Sequence, residues 1–138
     1  MMTNIVQVIH SLHNLLTLKP ATTSQIADAE IQLGVSFANE YKEYLSSFGA
    51  IMADGVELTG IAKSEHRNVV NLTKQEWELN CNVPHSMYVI ENVGIDGIVI
   101  WQDVNGFVYQ SVPFSNPKQI ATSLVDYILN YIKNTNVQ

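Results

Sequence analysis

The stretch that decides the fold covers residues 22–61, TTSQIADAEIQLGVSFANEYKEYLSSFGAIMADGVELTGI. Thr22 and Gln25 stand at the spacing of a capping box, in which two side chains satisfy the first free backbone N–H groups of a helix. Ile26, Ala29 and Leu33 then recur on one face, and Gly34 supplies the left-handed residue that commonly ends a helix. Glu30 lies beside that face, where its carboxylate can reach N–H groups of a neighbouring loop or extend to water. A further helix is expected over residues 38–48. Phe37, Tyr41, Tyr44, Leu45 and Phe48 give it an aromatic-rich stripe at helical spacing. Without interleaved Arg and Lys, such a stripe reads as packed core rather than as a platform for nucleic-acid bases. Gly49 ends this helix, Asp54-Gly55 marks a turn, and Val56-Glu57-Leu58 reads as a short strand.

Upstream, Ile5, Val8, Ile9, Leu12, Leu15 and Leu16 keep a helical period and predict a helix over residues 3–18. Lys19-Pro20 ends it, because the residue before a proline avoids the helical region. His10 and His13 lie three apart on that helix. No Asp or Glu within it joins them as a metal ligand, so both read as solvated polar-face residues. Downstream, residues 62–79 predict one or two short helices, with Thr73 and Glu76 spaced as a second capping box. Asn80, Asn82 and Pro84 mark a loop.

Strands are expected at residues 87–90, 98–101 and 107–109. The Gly94–Gly97 turn and the Asn105-Gly106 hairpin join them into an antiparallel meander that the chain leaves at Ser111-Val112-Pro113. The continuous apolar run at 98–101 predicts a central, covered strand. Asn116-Pro117 combines a favoured cap with a favoured first helical residue and is expected to open the last helix. Ile120, Leu124, Tyr127, Ile128, Tyr131 and Ile132 would form its buried stripe, and the tail NTNVQ is expected to fray.

At 138 residues the chain has the size of one ordinary domain, and residues 1–138 are read as one. Apolar residues make up 46% of it, enough to fill a core, whereas charged residues supply only 14%. Thirteen acidic against seven basic residues leave a formal charge of −6. That balance argues against a nucleic-acid footprint, which needs clustered Lys and Arg, and against an anionic membrane surface. The single cysteine, Cys81, excludes an internal disulfide framework and all-cysteine zinc sites. No apolar run approaches a membrane span, and residues 5–18 lack a basic leader and cleavage site. A cytoplasmic location is expected.

Catalytic signatures are not found. There is no phosphate-cradling Gly-rich loop, no H-E-x-x-H and no G-x-S-x-G elbow. Cys81, His85 and Asp96 can be drawn as a Cys/His/Asp set, yet Cys81 sits between Asn80 and Asn82 in a polar loop without the positive surroundings that make a thiolate. No cofactor or metal site is expected. The carboxylates Asp54, Glu57, Asp96 and Asp103 all fall at turns or strand ends, and no spacing among them marks an acid/base pair. The reading is a domain that binds rather than reacts.

The ordered set Ile26, Glu30, Leu33-Gly34, then Tyr41-Lys42 with Tyr44-Leu45, Phe48-Gly49, and Leu58 with Gly60 resembles the SUKH superfamily. Val69–Thr73, the strand end at Val89–Gly94, Gly106–Tyr109 and the final S-L-x-D-Y-I segment continue the resemblance along nearly the whole chain. One departure stands out: the family typically has Leu-Pro before the third helix, where this chain has Phe37-Ala38. The resemblance implies an α+β fold, with N-terminal helices and a C-terminal helix around a largely antiparallel β-meander, and it implies no enzyme activity. It implies a binding protein, such as a bacterial immunity protein that neutralises a toxin, often a nuclease, or an interaction module like the cell-wall assembly regulators. A protein partner is therefore expected, with Asp54, Glu57, Asp96 and Asp103 as the candidate contact residues for a basic toxin surface.

Overall fold

The computed structural model describes residues 4–136. Along them run α1 (Ile5–His10), β1 (Leu16–Thr17), α2 (Thr23–Leu33), α3 (Asn39–Phe48), β2 (Ile51–Ala53), β3 (Val56–Leu58), α4 (Val69–Leu79), β4 (Tyr88–Asn92), β5 (Val99–Gln102), β6 (Val108–Ser111), β7 (Lys118–Ala121) and α5 (Leu124–Asn136). The strands form two antiparallel sheets, β1-β2-β3 and β4-β5-β6-β7. The fold is mixed α+β, with helices from both ends of the chain packed on the meanders.

The opening stretch folds as its chemistry dictates. Thr22 and Gln25 make the reciprocal capping box at the start of α2, and Gly34 closes the helix with a φ of 67°. The Glu30 carboxylate turns back to accept from the Phe37 N–H at 2.8 Å. Tyr41, Tyr44, Leu45 and Phe48 are all buried on α3. Close backbone approach explains two glycines here. A Cβ on Gly49 would lie 2.1 Å from the Lys19 carbonyl oxygen, and one on Gly60 would lie 1.8 Å from that of Gly49.

Three expected elements change. The first helix stops at His10 instead of continuing to Leu18. Asn14 adopts a left-handed φ of 57°, and Leu16-Thr17 pairs with Met52-Ile51 as an edge strand. Its apolar period ran on by coincidence: Leu16 is 66% exposed. Thr73 caps nothing, being buried inside the single helix α4, whose cap is Asn68; its hydroxyl oxygen accepts from the Val89 N–H at 2.9 Å. Asn116-Pro117 does not open the last helix. Lys118–Ala121 instead pairs with β6, and α5 begins only at Leu124. That helix runs to Asn136, through most of the tail expected to fray. Thr3, at the expected start of the first helix, and Val137 and Gln138 lie outside the described residues.

The two sheets meet edge to edge. A register shift between Val89 and Glu91 frees the Ile90 carbonyl from the β5 ladder, and it accepts from the Thr59 N–H at 2.9 Å. The Thr59 hydroxyl donates to the Val89 carbonyl at 2.8 Å and lies 2.9 Å from the Tyr41 hydroxyl. Tyr44 donates to the Thr59 carbonyl at 2.7 Å. Burial holds both tyrosines far above the usual phenol range, so they stay neutral hydrogen-bonding groups.

A second buried chain of hydrogen bonds ties α3 to the far sheet. The N–H of Ala38, which precedes α3, donates to the Tyr88 hydroxyl, and that hydroxyl donates to Gln102 Oε1 at 2.8 Å. Gln102 Nε2 donates to Glu40 and to the Gly106 carbonyl, each at 3.0 Å. Glu40 in turn accepts from the Leu124 and Val125 N–H groups and so caps α5. Replacing Gln102 with Leu deprives the Tyr88 hydroxyl, the Gly106 carbonyl and Glu40 of a partner at once. Urea unfolding should show a loss of about 3 kcal/mol, and an unchanged midpoint would contradict this account.

Candidate partner-binding site

Where β3, β4 and α5 converge, an open groove of about 570 Å³ runs along the protein surface. Met52, Gly55 and Glu57 come from the β2–β3 hairpin, Glu91 from β4, Val93 and Ile98 from the β4–β5 connection, and Tyr127 and Tyr131 from α5. The hairpin alternates: Ile51, Ala53, Val56 and Leu58 turn into the core, while the cross-strand pair Met52 and Glu57 turns outward. Gly55 allows the close fit to α5, since a Cβ there would fall on the Tyr131 hydroxyl.

Glu91 is the buried charge of this groove, 7% exposed. One carboxylate oxygen accepts from the Glu57 N–H at 2.9 Å, and the other takes a short hydrogen bond from the Tyr127 hydroxyl. Burial raises the Glu91 pKa, the two hydrogen bonds oppose that rise, and the neighbouring Glu57 charge adds to it. Burial and the Glu91 charge together hold the Tyr127 phenol well above its usual range. The groove thus presents one exposed and one buried carboxylate beside aromatic and aliphatic walls, the mixture that suits a basic side chain with an apolar stem.

The four carboxylates singled out in the sequence do not gather on one face. Asp54 and Glu57 share the β2–β3 hairpin. Asp54 accepts from Asn14 Nδ2 at 2.9 Å, and Glu57 lies 3.5 Å from Arg67 Nε. Asp103 builds the β5–β6 turn, accepting from the N–H groups of Asn105 and Phe107 and from the Tyr109 hydroxyl. Asp96 stands at a left-handed φ of 54° in the β4–β5 turn, at the other end of β5. Glu57 is the one that lines the groove. Glu91 was not singled out, because a carboxylate ending an apolar strand reads as a surface residue until its partners on β3 and α5 are known.

Of the imagined Cys/His/Asp set, Cys81 is exposed and the His85 ring stacks on Trp77 at 4.3 Å. Among the described residues no hydrogen bond joins Cys81, His85 and Asp96. The His10 ring lies edge-on to Phe48, with centroids 5.2 Å apart. No group of three or more His, Cys, Asp or Glu among the described residues could hold a metal ion, and no described helix is long and apolar enough to cross a membrane.

Two antiparallel sheets joined edge to edge, with helices from both ends of the chain packed on them, define a mixed α+β domain. The profile of the SUKH_5 family, described as SMI1-KNR4 cell-wall, matches residues 2–133. The chain belongs to the SUKH superfamily, whose members are generally non-catalytic. No curated protein matches the sequence.

A carboxylate whose folded pKa is raised binds protons more readily in the folded state than in the unfolded one. Stability therefore rises as pH falls from the raised Glu91 value to the ordinary carboxylate value, and the cost of its charge is complete above that window. Glu91→Gln should remove this component, so the stability difference between variant and wild type should shift in the variant's favour as pH rises through the window. A difference that is flat with pH, in matched urea titrations, would refute the assignment.

Proposed function

We propose that this protein is a non-enzymatic binding protein of the immunity type, acting in the cytoplasm as a single domain to neutralise a cognate toxin by direct contact. Membership of the SUKH superfamily over residues 2–133 is the observation that carries this reading. The groove beside Glu57 and Glu91 supplies a surface suited to it, with two carboxylates for a basic side chain of the toxin and Met52, Ile98 and Tyr127 for its apolar stem. The chain's charge of −6 favours encounter with a basic partner such as a nuclease. The family description SMI1-KNR4 cell-wall favours a second reading, an interaction module in cell-wall assembly.

Co-expression with the toxin encoded beside its gene should protect cells, and the purified proteins should form a complex. Protection without a complex would overturn neutralisation by direct contact, and no toxin-like neighbour together with a housekeeping partner in pull-downs would decide for the second reading. Charge steering is best tested at Glu57 and Asp96, since Asp54 and Asp103 hold local structure. The double variant Glu57→Gln, Asp96→Asn should slow association several-fold and flatten its dependence on salt, with dissociation less affected. Equal association rates would remove these two residues from the contact.

A further inference from the structure

At the end of the second sheet where β4 passes to β5 and β6 to β7, two turns stand side by side. They touch: a Cβ on Gly97 in the first turn would lie 2.8 Å from the Pro113 ring in the second. Their tips carry Ile95 and Phe114, 61% and 93% exposed, and among the described residues no large apolar side chain is more exposed than Phe114. Val93 and Ile98 carry this apolar surface into the groove beside Glu57 and Glu91.

Phe114 is held there against its own preference. The Ser115 N–H donates to the Val112 carbonyl at 3.2 Å and closes a four-residue turn. Pro113 suits the second position of such a turn, and the φ of 65° at Phe114 belongs to a third position normally given to Gly or Asn. A bulky residue in the left-handed region is strained. Gly or Asn would make the same turn at lower cost, and the exposed ring adds nothing to the core. A strained residue that the fold does not need is a mark of a recognition site.

The neighbouring turn is held as firmly. The Val93 N–H donates to the Ile98 carbonyl at 3.2 Å, the Ile98 N–H to the Ile95 carbonyl at 2.9 Å, and the Gly94 N–H to Asn92 Oδ1 at 3.0 Å. Both apolar tips therefore stand on a preorganised support, which lowers the ordering cost of binding.

The charge around the tips is one-sided. From Gln75 to Pro117 the sequence has no Lys or Arg, while Glu91, Asp96 and Asp103 lie on or between β4, β5 and β6. Asp96 adjoins Ile95 in the same turn, and the first cation after Phe114 is Lys118, which opens β7. Exposed apolar tips among carboxylates fit a partner whose apolar pocket is rimmed by Lys and Arg.

We infer that Phe114, flanked by Ile95, anchors the interface by entering such a pocket on a basic protein partner, with the Glu57–Glu91 groove engaging the same partner alongside. This inference rests on the proposed neutralisation by direct contact and names the side chain through which that contact holds.

Surface plasmon resonance of the full chain on the purified toxin encoded beside its gene, together with urea unfolding of the free chain, tests it. Phe114→Gly should leave the urea midpoint unchanged or raised, because the turn accepts Gly. It should nonetheless weaken the complex about tenfold or more. The loss should fall on dissociation, with association and its salt dependence kept, the opposite of the charge variants at Glu57 and Asp96. Ile95→Ser should weaken binding about threefold, and Phe114→Tyr, which keeps the ring, should stay within about threefold of wild type. Wild-type affinity in Phe114→Gly would overturn the anchor and leave the toxin reading standing. A lowered urea midpoint in that variant would also overturn it, by giving Phe114 a structural role. Absence of any complex with the wild-type chain would remove the toxin reading itself, and the anchor with it.

Discussion

The fold depends on how a few buried polar groups in its core are satisfied. Gln102 is fully buried at the end of β5, an inner strand of the second sheet. Left alone, its amide would cost several kilocalories per mole of lost hydration. Instead it takes a proton donor from Tyr88, serves the carbonyl of the β5–β6 turn, and holds Glu40 in place. Glu40 then closes the first turn of α5 from a helix 84 positions earlier in the chain. One amide side chain therefore fixes the mutual position of α3, β4, β5 and α5. Low local dielectric strengthens each bond of such a chain and penalises each gap.

The same network reaches Phe37-Ala38, just before α3. Ala38 has φ −59° and ψ 146°, values that a proline would also adopt. What proline lacks is the N–H that Ala38 donates to the Tyr88 hydroxyl. That N–H ties the start of α3 to the neighbouring sheet. Phe37 fills the apolar anchor position, its ring edge-on to both Tyr41 and Tyr88.

Local chemistry was legible in the sequence wherever a few neighbouring residues decide the outcome. The Thr22–Gln25 box, the Gly34 stop, the Tyr41–Phe48 stripe and the Asn105-Gly106 turn are of this kind. Long-range pairing overrode local signals elsewhere. Asn116-Pro117 carries the pattern of a helix start, but the next four residues complete the sheet on β6, and the helix waits for the Glu40 carboxylate. Leu15 and Leu16 continue a helical period, yet Asn14 turns the chain so that Leu16 pairs with Met52. The site was less legible than the fold. Glu57 was noticed as a strand carboxylate, whereas Glu91 and Arg67 acquire meaning only from groups 34 and 10 residues away.

The junction between the sheets also governs how another chain could attach. Many proteins recruit partners by letting an extended peptide add a strand to an open sheet edge. Here the outer edge of β4 is spent on Thr59 and Glu57, and the outer edge of β3 is closed by the same bonds. The edges that remain are β1, only two residues long, and β7, which carries a lysine at its start. Short length and edge lysines are the devices that discourage strand addition and edge-to-edge aggregation. The closed β3 and β4 edges leave side chains and cavity walls as the larger part of the surface around the junction, where charge and shape rather than backbone pairing set the chemistry.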